Sequence, residues 1–232
     1  PGPGFNALHA AAATSQMDVP KALLSRGADP NAPLAMPLRL GAAFIPYNPE
    51  LVTGRLSLVG ATPFMLAAKS VDTQMMRLLL EAGANPLKTA NDGTNALIVA
   101  AGLGKRSSTD MFKFIRYYTW DETRAIEAIK LCLQLGIDVN AANELGETAL
   151  HGATYHAAHE VIKTLVANGA NLNATNWSGQ TPLRLAQGHF YSGTFVRYPE
   201  TAQLFRDLGA DPSAGVQLNF GLSKYTGDNK TE

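Results

Sequence analysis

Ten glycines with a recurring 23-plus-10 spacing constrain this chain more than any other feature. Five motifs read as helix starts: GFNALHAAA from Gly4, GATPFMLAA from Gly60, GTNALIVAA from Gly93, GETALHGAT from Gly146 and GQTPLRLAQ from Gly179. Five endings answer them: LLSRGADP, LLLEAGANP, LCLQLGIDV, LVANGANL and LFRDLGADP, with Gly27, Gly83, Gly136, Gly169 and Gly209. From start to end the units span 23, 23, 43, 23 and 30 residues, and from end to next start 33, 10, 10 and 10. The regular unit is therefore 23 plus 10. A chain repeating at that period builds by stacking neighbours and needs no single central core. The excesses place insertions of about 23, 20 and 7 residues between the first two units, inside the third and inside the fifth.

The plain unit, 146–178, shows what each position is for. Thr148 is placed to cap a helix start, and the small residues of ALHGAT suit close helix packing. In EVIKTLVANG, the residues Val161, Ile162, Leu165 and Val166 fall on one helical face. Gly169 suits a left-handed helix end. Thr62 and Thr181 are further caps, and Pro63 and Pro182 fit a first helical turn, where a missing N–H is harmless. The Asp of GADP and the Asn of GANP suit an Asx turn after a helix.

At GETALHGA and GQTPLRLA the chain resembles the ankyrin-repeat family. The resemblance implies an all-α solenoid of about five helix-turn-helix repeats, at about 4–32, 60–92, 93–145, 146–178 and 179–213. It also implies that the motif histidine, here His9 and His151, bridges neighbouring backbone. Met65, Ile98 and Arg184 replace that histidine elsewhere, and Asn6 and Asn95 replace the threonine, which leaves those local hydrogen bonds open. The departures sit around a single domain, 1–213. The insertion at 33–59 contains Pro46, Pro49 and an alternating LSLV, and reads as a β-hairpin-like finger. Segments 105–121 and 189–199 read as inter-helix loops, and 214–232 as a polar tail expected to be disordered.

Composition bounds the function. Nineteen basic residues balance 19 acidic ones, so no general attraction to nucleic acid or anionic membrane is expected. No run approaches the roughly 18 continuous apolar residues of a spanning helix, so no membrane insertion is expected. A single cysteine, Cys132, in an apolar helical run excludes a disulfide within the chain and suits an inert thiol. No phosphate-binding glycine loop is present, and Ser107 and Ser108 have no evident base. The expectation is a non-catalytic chain with no cofactor. Lys105, Arg106, Lys113 and Arg116 lie among rings, but Asp110, Asp121 and Glu122 surround them, so a solvated loop is preferred to a nucleic-acid site.

What the resemblance implies is a scaffold or interaction module that binds another protein on the concave surface of fingers and first helices. Carried over by motif position, its contacts are Asn91, Asp92, Glu144, Leu145, Trp177 and Ser178 on the fingers, with Lys69, Tyr155 and His156 at first-helix ends. A fingertip has little core to hide an indole, so Trp177 is either a binding anchor or lies flat on the adjacent finger or on the fifth repeat. A second surface is suggested by Phe112, Phe114, Tyr117, Tyr118, Trp120, Phe190, Tyr191, Phe195 and Tyr198. These are nine of 18 aromatics, and both their loops leave the solenoid at one edge. They form either a sealed satellite cluster or an exposed docking patch, the former preferred. His156, His159 and His189 share that edge, so metal or small-ligand binding there is one alternative. Another is an accessory or regulatory subunit of a larger enzyme complex, motivated by the apolar first helix NALHAAAAT. The insertions and GATPFMLAA also resemble bacterial ankyrin proteins, many of them exported to the periplasm.

Overall fold

The computed structural model describes residues 6–14, 17–35, 58–104, 121–191 and 194–216. Within them the helices come in consecutive antiparallel pairs: α1 (Ala7–Thr14) with α2 (Asp18–Leu24), α3 (Pro63–Lys69) with α4 (Thr73–Glu81), and α5 (Ala96–Ala100) with α6 (Glu122–Gln134). These are followed by α7 (Ala149–Thr154) with α8 (His159–Ala167), and α9 (Pro182–Gln187) with α10 (Pro199–Asp207). Odd-numbered helices form an inner row and even-numbered ones an outer row. The core runs continuously between the rows, from Leu8 to Ala210.

Each inner helix starts on a side-chain cap. Thr62, Thr148 and Thr181 accept from the amides of Met65, His151 and Arg184. Asparagine does the same work where threonine is replaced: Asn6 Oδ1 accepts from His9 N–H at 3.0 Å, and Asn95 Oδ1 from Ile98 N–H at 2.9 Å. Caps of this kind are worth about 1 kcal/mol each. The motif histidines bridge as the resemblance implied. His9 Nε2 donates to Ala32 O at 2.9 Å, and His151 Nε2 to Gln180 O at 3.1 Å. Arg184 keeps the bridge in another form, donating from Nη2 to Pro212 O and from Nε to Ala214 O.

The inner row packs through alanine, with Ala12, Ala67, Ala68, Ala100, Ala153 and Ala186 fully buried. Gly152 allows a close approach within this row: a Cβ there would stand 2.9 Å from the backbone nitrogen of Leu103. The outer helices bury one apolar stripe each, Met75, Met76 and Leu79 on α4 and Val161, Ile162 and Leu165 on α8. Helix α8 ends before Gly169 at φ +88°, a left-handed conformation that glycine adopts without strain. The Asx turns form after every outer helix, with Asp29, Asn85, Asp138, Asn171 and Asp211 each accepting from the amide two residues on. Two side chains stitch the outer row. Glu122 Oε1 accepts from the Glu160 and Val161 amides and so supplies the cap that Ala158 lacks, and His159 Nε2 bonds Thr201 Oγ1.

The insertions differ from one another. Most of the 33–59 finger and nearly all of the 105–121 loop lie outside the described residues, so their expected forms stand as expectations. The neck of the first is closed: Leu34 and Leu58 are buried, Leu34 N–H donates to Ala61 O, and Gly60 N–H donates to Leu34 O. Part of the third unit's excess is absorbed by α6, which has 13 residues against nine in α4 and α8. The loop expected at 189–199 holds an antiparallel hairpin instead, β1 (His189–Tyr191) and β2 (Thr194–Val196), with Phe190 opposite Phe195. Its aromatic and β-branched residues flank a two-residue Ser192-Gly193 link, a combination that favours a hairpin. The tail is also ordered at its start. Val216 N–H donates to Gly179 O at 2.7 Å, while 217–232 lie outside the described residues.

Candidate functional site

The fingers between repeats form a row laced by backbone hydrogen bonds. Asn91 N–H donates to Val59 O, Glu144 N–H to Asp92 O, and Trp177 N–H to Leu145 O at 2.8, 2.8 and 2.7 Å. At the base of two fingers an asparagine holds the turn, and Ala90 stands at that place in the finger of Asn91 and Asp92. Asn143 Oδ1 accepts from the Leu145 and Glu147 amides, and Asn176 Oδ1 from those of Ser178 and Gln180. The same asparagines reach back one repeat, from Asn143 Nδ2 to Thr94 Oγ1 and from Asn176 Nδ2 to Glu147 Oε1. The tips are thus fixed by the scaffold before any partner arrives, which lowers the ordering cost of binding.

On this rigid row Trp177 is 46% exposed, one of few large hydrophobic side chains so placed. Asn91 and Glu144 are exposed, and Asp92, Leu145 and Ser178 half-buried, with the Ser178 hydroxyl on Asn176 Oδ1. Lys69 is committed elsewhere. It is half-buried, Nζ donates to Gly104 O at 2.8 Å, and desolvation pushes its pKa down to about 8.

Tyr155, expected on the partner-facing surface, is buried. Its ring packs with Ile98, Leu103 and Leu185, and its hydroxyl donates to Glu147 Oε1 at 2.8 Å. The reason is a carboxyl at the finger base that would otherwise lack this donor. Glu147 is itself 1% exposed, and desolvation pushes its pKa up to about 7. Its Oε2 and the Nε2 of Gln180, at the equivalent place in the next repeat, are buried without hydrogen-bond partners. His156, half-buried, donates from Nε2 to Gly102 O at 3.0 Å.

At the opposite edge the described aromatics turn inward. Tyr198 is half-buried and donates from its hydroxyl to Tyr155 O at 2.9 Å. His189 is buried, with its ring edge-on to Tyr155 at 5.2 Å and Nδ1 donating to Leu185 O. Phe195 is half-buried and faces the exposed Arg197, whose guanidinium lies 5.0 Å from the ring centroid. Phe112, Phe114, Tyr117, Tyr118 and Trp120, with the side chains of Phe190 and Tyr191, lie outside the described residues. The three edge histidines bond in three directions: His156 to Gly102, His159 to Thr201 and His189 to Leu185. Among the described residues no group of three or more His, Cys, Asp or Glu is placed to hold a metal ion. Cys132 is buried, and desolvation pushes its thiol up to about 12, far from a reactive thiolate. No described helix is long and apolar enough to cross a membrane.

Comparison with family models agrees with this architecture. A model described as ankyrin repeats (3 copies) matches residues 117–214, and one described as ankyrin repeat matches 3–33 and 59–91. No curated protein matches the chain.

Proposed function

Because the chain belongs to the ankyrin-repeat family, whose repeats generally serve as protein–protein interaction modules, we propose that it binds a partner protein along its finger row, across five repeats. The observation that carries this reading is Trp177, an indole left 46% exposed on a turn fixed by three hydrogen bonds to Asn176. Rigid, accessible Trp residues are the side chains most often found to dominate interface energies. Glu144, Leu145, Asn91, Asp92 and Ser178 surround it as the remaining contacts of the row. Tyr155 is left out of the surface, because its hydroxyl and ring are engaged in the interior. His156 and Lys69 lie at the rim, each with its side chain already donating to a backbone carbonyl.

The test is affinity capture from the source cells with wild-type chain and with Trp177→Ala, followed by identification of bound proteins. A protein recovered by the wild type and lost with Trp177→Ala supports the proposal. Equal recovery by both chains overturns it.

A further inference from the structure

The fingertip row changes character along its length. Successive tips are joined in order, Glu144 to Asp92, Trp177 to Leu145, and Val216 to Gly179, each through one backbone hydrogen bond. The first tips present carboxylates. Glu144 is exposed, and Asp92 is half-buried with one oxygen on the Thr94 amide. The later tips present apolar surface. Trp177 is 46% and Val216 53% exposed, two of the four large hydrophobics left exposed among the described residues. Val216 packs beside Gly179, two residues from Trp177, so the two side chains belong to the same end of the row.

Among the described residues, the cations that could neutralise the acidic tips are few and already hydrogen-bonded. Segments 137–146 and 170–179 contain no lysine or arginine, and Lys88, on the finger of Asp92, donates from Nζ to Asn31 O at 3.4 Å. On the inner helices Lys69 is drawn onto Gly104 O, and Arg184 onto Pro212 O and Ala214 O. The chain as a whole carries no net charge, so the negative character of these tips is local.

Resting on the fingertip reading above, we infer that the partner contributes a basic and apolar peptide segment. Its arginine or lysine side chains lie over Asp92 and Glu144, and its apolar side chains cover Trp177 and Val216. Arginine suits the junction best, because its guanidinium pairs with a carboxylate while stacking on an indole face. An acidic segment, or a nucleic-acid backbone, would meet like charge along the first half of the row.

The experiment measures binding of the full chain to a soluble peptide of arginine, leucine and serine, and to its counterpart with glutamate in place of arginine. The arginine peptide is expected to bind at least about tenfold tighter than the glutamate peptide, with an affinity that falls as salt is added. Glu144→Gln with Asp92→Asn, substitutions that keep shape and remove charge, should weaken it by about two- to tenfold. Trp177→Ala should weaken it by about tenfold or more. Equal binding of the two peptides, no binding of the arginine peptide, or indifference to the charge-removing pair overturns the basic-segment inference. In those cases loss of a captured partner with Trp177→Ala would leave the fingertip reading standing. Arginine-peptide binding untouched by any of the three substitutions overturns this inference and counts against the fingertip reading as well.

Discussion

The finger row and the inter-helix edge are both marked by aromatic residues, and among the described residues the two are treated oppositely. At the edge, Tyr155 and Tyr198 spend their hydroxyls on Glu147 Oε1 and the Tyr155 carbonyl, and His189 spends Nδ1 on Leu185 O. On the row, Trp177 uses its backbone amide to join the neighbouring finger and stays 46% exposed. An aromatic residue whose polar end finds a protein partner has been drawn into the structure. One that is rigidly mounted without such a partner is available to something else. Aromatic content alone would have ranked the edge above the row; among the described residues, hydrogen bonding reverses the order.

This contrast can be broken by substitution, beginning with the edge. Tyr155→Ala removes a buried ring and also strips a donor from a buried carboxyl, so it should cost about 3–5 kcal/mol of unfolding free energy. Chemical denaturation would show it, and a loss below about 1 kcal/mol would mean that the edge cluster is not core.

Glu147→Gln sharpens the same point through pH. The folded pKa of Glu147 is raised to about 7 from 4.5, so as pH climbs through that window the unfolded chain releases a proton that the folded chain keeps. Stability attributable to Glu147 therefore falls with rising pH. His151, lowered to about 4 from 6.5 by burial, works in the other direction: below 6.5 the unfolded chain gains a proton that the folded chain refuses, so its contribution rises with pH. Each limb amounts to about 3 kcal/mol, and they nearly cancel in the wild type. His9 and His189, also lowered by burial, add to the rising limb. Glu147→Gln removes only the falling limb. It should raise stability above pH 7 by about 1–3 kcal/mol and leave a profile that climbs across pH 4–6.5. Gln180 already occupies the equivalent place in the next repeat, so the substitution is sterically precedented. An unchanged melting profile in the variant would contradict this account of the finger base.

A smaller effect is expected on the outer row. Glu122→Ala uncaps α8 from the neighbouring repeat and should cost about 1 kcal/mol. Hydrogen exchange should quicken at the Glu160 and Val161 amides before it does at Leu165. Uniform exchange along α8 would show that the cap does not act locally.

Much of the scaffold was legible from spacing, because helix starts, helix-ending glycines and Asx turns are local devices within a few residues of one another. Asn6 and Asn95 capped as threonine does, since either side chain offers an oxygen at the same reach. What escaped depends on contacts between repeats. Glu122 caps a helix whose first amides lie 38 and 39 residues away, and no periodicity announces it. Tyr155 looked like a surface residue at a helix end, because the acid that draws it inward sits in a position filled by Thr94 and Gln180 in the flanking repeats. The 189–196 hairpin is local, with a Ser-Gly link between short aromatic and β-branched runs, but the repeat spacing alone shows only that extra residues lie between α9 and α10. The fingertip positions were readable because motif register fixes them, and Trp177 stands where that register put it.

The smallest stability effect belongs to the residue with the largest expected functional one. Trp177→Ala should change unfolding free energy by no more than about 0.5 kcal/mol, since it removes an exposed side chain. Its effect on a captured partner is the most direct test of the account: the dissociation constant of wild type and Trp177→Ala for that protein, measured beside their melting temperatures. The account predicts an affinity loss of about 2 kcal/mol or more, roughly thirtyfold, at a nearly unchanged melting temperature. Unchanged affinity, or an affinity that falls only in step with stability, would contradict it.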